Sequence, residues 1–366
     1  MKLELLGTHD LMLTPPPPML VEHLVYRYGV TGVSSDPGVG KTFFALDLAR
    51  CVVTGERFLG TFDVRPGAVL FVGQDASLVE YARQHRKVSG AHYMGLVRDA
   101  ARDEDTGDSD PLAQDRLEDF EDRFRFLIQP GLRLEQVDNV LALEAAANSV
   151  KHSWSEIDPD TGDLEHHTGV SLIVLDTLAS LHGLEENSNT QMQVLFQHLR
   201  ALAENTHAAV VVLHHHPYAN EFNQGDRWRG ASSMFGALDG HIVLKPQPAT
   251  DLIQVVLKKF RGIKIEPFSY QMHMTEERVQ LEYKGQRGET DPFLNDVIAF
   301  VAGCGELFKN KHVVENLHKT YPLIDQKTLE ARVSDVLSTL NRRGLVEKKG
   351  RGLWLRPPLT EEGGGD

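Results

Sequence analysis

One run constrains this chain more than any other: Ser35-Asp36-Pro37-Gly38-Val39-Gly40-Lys41-Thr42, set between an apolar, β-prone stretch, Val30 to Val33, and a helix-periodic segment carrying Phe44, Leu46, Leu48 and Ala49. A glycine-bearing loop at a strand-to-helix turn exposes backbone N–H groups at a helix N-terminus, an arrangement that cradles phosphate. Lys41 then supplies a point charge for β- and γ-phosphates, and the Thr42 hydroxyl is a ligand for Mg²⁺. Asp36, Pro37, Gly38, Val39, Gly40 and Phe43 complete the candidate ATP-binding set. Ser35 stands where the pattern has glycine, so the strand-turn-helix setting carries the assignment more than the letters do.

The chain has 366 residues, 41% hydrophobic and 25% charged, which supports a folded core and excludes compositional disorder. Its formal net charge of −14 excludes a uniformly basic nucleic-acid coat, leaving the local clustering of cations to decide. Two cysteines far apart, Cys51 and Cys304, indicate no disulfide framework or thiolate metal site. No basic-then-apolar leader and no apolar run of about 18 residues occurs, so the expectation is a cytoplasmic protein that does not engage a membrane.

From Tyr28 onward β-rich runs alternate with helix-periodic segments, the rhythm of a mostly parallel α/β sheet. Residues 1–27, with four consecutive prolines from Pro15 to Pro18, read as an extended arm before a core spanning 28–284. Two interruptions stand out. Residues 99–123 hold eleven acids against three arginines and read as a solvated, flexible insertion. Residues 154–169 centre on Asp158-Pro159-Asp160-Thr161-Gly162 and read as a hairpin on an edge of the sheet. A linker is expected at 285–290, a second domain at 291–356 and a disordered tail at 357–366.

A phosphate loop needs a metal-holding acid and a group that positions the attacking water. The apolar run Leu172 to Leu175 delivers Asp176 to the carboxyl edge of the sheet, and Val69 to Val72 delivers Asp75 to the same edge as a general base. Either aspartate also suits an ordinary turn. His214, His215 and His216 follow the strand Ala208 to Leu213 and suit either a sensor beside the γ-phosphate or a metal. Because strand neighbours alternate faces, consecutive rings do not converge easily, which favours the sensor.

With these strands in order, the chain resembles the RecA-type P-loop ATPases, and in particular the RepA-like group of hexameric replicative helicases, related to the DnaB and KaiC families. The carriers are Pro37 to Thr42, Val69 to Asp75, Leu172 to Thr177, His214 to Pro217, Arg229 to Ser233 and Lys259-Phe260-Arg261-Gly262, across roughly Leu13 to Tyr283. The resemblance implies a RecA-like core with catalytic roles for Lys41, Asp75, Asp176 and His214. It further implies a finger, Lys259 and Arg261, that enters the nucleotide site of the next subunit, hence a homo-oligomer, by family a hexamer. In the family the acid matching Asp75 is usually Glu. Arg227, Trp228 and Arg229 lie in a polar loop that suits tracking of single-stranded DNA, or is simply a loop around a tryptophan.

Residues 291–356 read as three helices and a β-wing, a pattern resembling a winged helix-turn-helix. Between Lys309 and Arg356 eleven basic side chains face five acidic ones, a local excess of +6. Lys327, Arg332, Lys348, Lys349 and Arg351 are the candidate contacts to double-stranded DNA, with a protein contact as the other reading of the same module. Two functions remain in view: an ATP-dependent oligomeric DNA helicase or translocase serving replication of a small replicon, or an ATP-switched DNA-binding regulator or loader that unwinds nothing.

Overall fold

The computed structural model describes residues 7–8, 12, 18–105, 112–157, 164–186, 188–215, 236–247, 250–261, 265–286, 292–304, 307–322, 324–342, 346–350 and 352–355. The chain divides into two compact units, 1–284 and 285–366.

In chain order the first unit comprises β1 (Met19–Val21), β2 (Val25–Tyr26), β3 (Val30–Ser35), α1 (Lys41–Thr54), β4 (Val69–Gly73), α2 (Leu78–Asp105), α3 (Ala113–Arg123) and β5 (Phe124–Leu127). It continues with α4 (Val137–Asn148), β6 (Ser153–Ile157), β7 (Leu164–Thr168), β8 (Leu172–Asp176), α5 (Asn189–Thr206) and β9 (Ala209–His215). Four further strands follow: β10 (Gly240–Pro246), β11 (Leu252–Phe260), β12 (Phe268–Met274) and β13 (Val279–Gln286). The described strands form a nine-stranded sheet in the order β13-β12-β11-β10-β3-β9-β8-β4-β5. From β10 to β5 every neighbouring pair is parallel, whereas β11 and β12 extend the sheet antiparallel.

Strand side chains alternate between faces, and each face of this sheet is covered. Val69, Phe71, Leu172, Val174, Val211 and Leu213 pack with residues of α1, α2 and α3, such as Phe44, Leu48, Tyr81 and Phe120. Leu70, Val72, Ile173, Leu175, Val210 and Val212 pack with residues of α4 and α5, such as Leu143, Leu195 and Leu199. Both faces being buried explains why the strands read as unbroken apolar runs. Phe71 is fully buried, and truncating such a ring to Ala costs about 3–5 kcal/mol. Helix α1 stops at Gly55, whose φ of 75° is left-handed and whose N–H bonds back to the Cys51 carbonyl at 2.8 Å.

Three expectations need correction. The arm does not extend to residue 27: Leu20, Val21, Leu24 and Val25 are core residues of the first unit, while Pro15 to Pro17 lie outside the described residues. The acidic stretch is not simply a flexible insertion. Within it, α3 buries Ala113 and Phe120 and turns its acids outward, then leads into β5, an edge strand of the sheet. An amphipathic helix whose polar face is almost wholly acidic hides its apolar stripe in the composition. Neither β5 nor α4 was anticipated. The hairpin β6–β7 forms, but as a separate two-stranded sheet. Its Trp154 and His167 stack near His207 and Arg27, at the amino ends of β9 and β3, not along an edge strand.

The second unit comprises α6 (Pro292–Gly303), β14 (Leu307–Lys309), α7 (Asn310–Thr320), α8 (Gln326–Arg342), β15 (Glu347–Gly350) and β16 (Leu353–Leu355). Its strands form a sheet in the order β14-β16-β15, so a short third strand joins the expected hairpin. Phe293, Val313, Leu317, Leu329, Val333, Leu337 and Trp354 make its core. Asp291 and the tail 357–366 lie outside the described residues.

Candidate functional site

Parallel strands bring their carboxyl ends to one edge. Ser35 pairs in register with His215, and Gly73 with Asp176. The loop 36–40 leaves β3 at that edge and enters α1 through Gly40, whose φ of 97° is left-handed, as is Gly38 at 78°. The left-handed φ is what calls for glycine at Gly40; a Cβ there would also stand 2.9 Å from Met272 Cε on β12, the flexible end of a side chain that can move aside.

Lys41 is buried, and its ammonium is held at the mouth of the loop. Nζ donates to the Ser35 carbonyl (3.2 Å), the Ser35 hydroxyl (3.0 Å) and the Asp36 carbonyl (3.3 Å), and lies 3.0 Å from His215 Nδ1. Ser35, the departure from the glycine pattern, therefore has a use: its hydroxyl takes part in holding the lysine. Burial pushes Lys41 down to about 8, against the pull of Asp176, Asp75 and Asp36. Asp176, at the end of β8, accepts a hydrogen bond from the Thr42 hydroxyl at 2.9 Å. Its other oxygen, Oδ1, is buried with no hydrogen-bond partner, and burial raises the carboxyl to about 6. An orphaned buried carboxylate oxygen beside a threonine hydroxyl fits a hard divalent cation such as Mg²⁺, which Thr42 and Asp176 would hold.

Asp75 stands at the same edge, its Oδ2 3.6 Å from His215 Nε2. An ammonium only donates, so His215 Nδ1 accepts from Lys41 and the ring proton sits on Nε2, facing Asp75. Burial, then the neighbouring Lys41, lowers the His215 pKa, which keeps the ring neutral at pH 7. His214 and His215 were both expected beside the γ-phosphate, and the structure brings His215 there and turns His214 away. Val211 and Leu213 pack on the α1 face of the sheet, so alternation puts His215 on that face and turns His214 to the other, where it is buried. Among the described residues no group of three His, Cys, Asp or Glu side chains gathers as a metal site, and His216 lies outside them.

Tyr81 was not anticipated. Its hydroxyl donates to the Asp176 carbonyl at 3.1 Å and accepts from the Asp75 N–H at 3.3 Å, tying the two acidic strand ends together. Gly73 makes this possible, because a Cβ there would lie 2.5 Å from the Tyr81 ring. The signal was available as a glycine ending an otherwise branched strand. Gln74, next to Asp75, is engaged structurally: its amide bonds the Leu132 carbonyl at 3.0 Å and the Gly131 N–H at 3.1 Å.

The finger residues sit elsewhere. β11 runs antiparallel to β10, so Phe260 pairs with Gly240 at the amino edge of the sheet, opposite the phosphate loop. Lys259 Nζ donates to the Gly236 carbonyl at 2.7 Å, and Arg261 Nε lies 3.3 Å from Asp239 Oδ1.

Residues 2–221 match the family model described as the AAA domain, well over half the chain and spanning the loop, Asp75, Asp176 and both histidines. The chain belongs to the AAA domain family. Its site is accordingly that of a P-loop ATPase. Among solved structures, the chain is similar to one titled "ATPase Domain of G40P", at 13% identity and a TM-score of 0.46, covering 69% of this chain and 85% of that one. It is also similar to "The Structure Of A DnaB-Like Replicative Helicase And Its Interactions With Primase", again at 13% and 0.46, covering 69% of this chain and 57% of that one. The match therefore spans little more than half of the second protein's length. Among the described residues no helix is long and apolar enough to cross a membrane.

Of the candidate DNA contacts, Lys327, Lys348 and Lys349 are exposed. Lys349 pairs with Glu347 at 2.6 Å, and Lys348 Nζ lies 5.6 Å from the Trp354 ring centre. Arg332 is half-buried with its guanidinium 4.1 Å over the Phe293 ring, so part of its role is packing within the unit. Arg227, Trp228, Arg229 and Arg351 lie outside the described residues.

Proposed function

We propose that this chain is an ATP-driven DNA helicase or translocase of the RepA-like kind, working as a homo-oligomer, by resemblance a hexamer, in replication of a small replicon. One observation carries the reading. Lys41, Thr42, Asp176, Asp75 and His215 converge at the carboxyl edge of the sheet, while Lys259 and Arg261 lie at the amino edge. β3, which spans between them, has six residues, or roughly 20 Å at about 3.3 Å per residue. No side chain crosses that span, so a finger at the amino edge serves the phosphates of another copy.

The residues divide the work as follows. Lys41 exchanges its loop carbonyls for the β- and γ-phosphates, and the N–H groups of the loop and of the first turn of α1 bind the phosphate oxygens. Bound Mg²⁺, held by Thr42 and Asp176, would neutralise phosphate charge. Asp75 accepts the proton of the attacking water. His215, between Asp75 and Lys41, senses the γ-phosphate. Arg261 of a neighbouring copy stabilises charge developing on the transferred phosphoryl group. The second unit's three helices and three-stranded sheet support a winged helix-turn-helix, whose Lys327, Lys348, Lys349 and Arg351 suit a duplex backbone; Arg227, Trp228 and Arg229 of the core suit single strands.

The deciding experiment measures ATP turnover with and without single-stranded DNA, then strand displacement on a forked duplex. Stimulated turnover with displacement is expected. ATP-dependent DNA binding without displacement would favour the regulator or loader instead, a reading kept in view because Asp75 is one methylene shorter than the usual Glu. Asp75→Asn is expected to bind ATP and leave it unhydrolysed, because an amide accepts no proton from water; parent-like turnover would assign the base elsewhere.

A further inference from the structure

The amino edge carries more than a finger. Asp239, immediately before β10, is a junction. Its Oδ2 accepts the Val30 N–H at 2.9 Å, while its own N–H donates to the Val30 carbonyl at 2.8 Å. Its Oδ1 accepts from Arg200 of α5 at 3.3 Å and lies 3.3 Å from Arg261 Nε. The carboxylate is only 14% exposed, whereas the Arg261 side chain is 54% exposed. One partner is thus locked into the sheet and the other reaches outward.

The surrounding geometry points the same way. The β10–β11 register shifts between His241 and Ile242, so that Lys259 pairs with His241 and Leu257 with Ile242, leaving Lys258 as the extra residue of a bulge. Bulges redirect the end of a strand. Beyond the bulge, Phe260 stacks on Tyr26 with ring centres 4.6 Å apart, and Lys259 holds the Gly236 carbonyl. A guanidinium held through Nε presents its two terminal nitrogens as a fork, the geometry that matches two phosphate oxygens.

We propose that Asp239 is the positioning residue of the finger: its carboxylate, fixed by Val30 and Arg200, orients Arg261 toward the γ-phosphate of a neighbouring copy. This rests on the reading of Arg261 as a finger acting between subunits. The flexible side chain is ordered before it meets its target, so less freedom is lost at the moment of reaction.

Asp239→Asn in the full chain tests it. The amide oxygen still accepts the Val30 N–H, but the charge that holds the guanidinium is gone. We expect kcat for ATP to fall at least tenfold, nucleotide Kd to stay within twofold of the parent, and the thermal midpoint to stay near the parent's. Mixed with Lys41→Ala subunits, whose fingers are intact, the variant should recover turnover, which a defect in its own phosphate loop would not do. Parent-like or raised kcat for Asp239→Asn, where Arg261→Ala has lost turnover, overturns the proposal and leaves the finger reading standing. Parent-like kcat for Arg261→Ala overturns both. Should Asp239→Asn lower the thermal midpoint, Asp239→Glu decides: recovered turnover assigns the loss to charge, and no recovery counts against the proposal.

Discussion

The two edges of one sheet differ in how their functional side chains are held. At the carboxyl edge Lys41 and Asp176 are buried and bonded to groups of the same subunit, down to a Lys41 ammonium shared among Ser35, Asp36 and His215. At the amino edge Arg261 is more than half exposed and keeps one anchor, Asp239. Buried groups held in place by their own chain bind a ligand that comes to them, because they need no rearrangement of the chain. An exposed cation on a short tether is suited to a target outside its own subunit. The proposed function accordingly makes nucleotide capture complete within one chain and assigns acceleration of hydrolysis to a neighbouring copy.

The largest effect that would break this contrast is on capture. Lys41→Ala removes the buried ammonium at the loop mouth and is expected to abolish ATP binding, measured by titration calorimetry or a fluorescent analogue. Affinity equal to the parent's would mean that the carboxyl edge is not the phosphate site. Next comes the amino edge. Arg261→Ala should lower turnover by about 10³-fold while ATP affinity stays unchanged, since the guanidinium acts only as charge moves. Combining Arg261→Ala with Lys41→Ala subunits should restore part of the turnover, at interfaces where an intact finger meets an intact loop. No recovery in proven mixed assemblies would place the finger's action within its own chain and erase the difference between the edges.

A finer test separates neighbours on one strand. His215→Ala should cost roughly 100-fold in turnover, the low end of what a positioned acid–base side chain contributes, because the ring lies between Lys41 and Asp75. His214→Gln, on the opposite face, should leave kcat for ATP within about twofold of the parent's, a factor worth roughly 0.4 kcal/mol of barrier. Equal losses for the two would show that both faces of β9 feed the site.

These histidines also show where sequence reading stops. Lys41, Thr42, Asp75 and Asp176 were legible because each ends or follows an apolar run, and a parallel sheet sends all such ends to one edge. Which of two adjacent histidines faces the loop depends on the register of β9 against β3, Ser35 with His215, and that is a relation between segments about 180 residues apart. Asp239 was invisible for the same reason: its partners Val30, Arg200 and Arg261 come from three separate stretches of chain. The helix Ala113–Arg123 was missed differently, since Phe120 supplies nearly all of its buried face and eleven acids against three bases around it dominate any local average.

The smallest expected effect lies in the second unit and should move neither edge's chemistry. Its exposed Lys348 and Lys349, with Arg351 two residues further on, are the cations of the candidate wing. Each phosphate contact contributes a slope of about 0.9 in log affinity against log salt for a duplex. Replacing all three with Ala should therefore flatten that slope by up to about 2.7, less where Lys349 remains engaged with Glu347. Single-strand stimulation of ATP turnover should stay at the parent level, because Arg227, Trp228 and Arg229, the proposed single-strand contacts, fall within the residue range of the first unit. An unchanged salt slope would turn the second unit into a protein-contact module. A loss of turnover would instead mean that hydrolysis depends on this unit as well as on the two edges, and the division of labour drawn from the sheet would need a third participant.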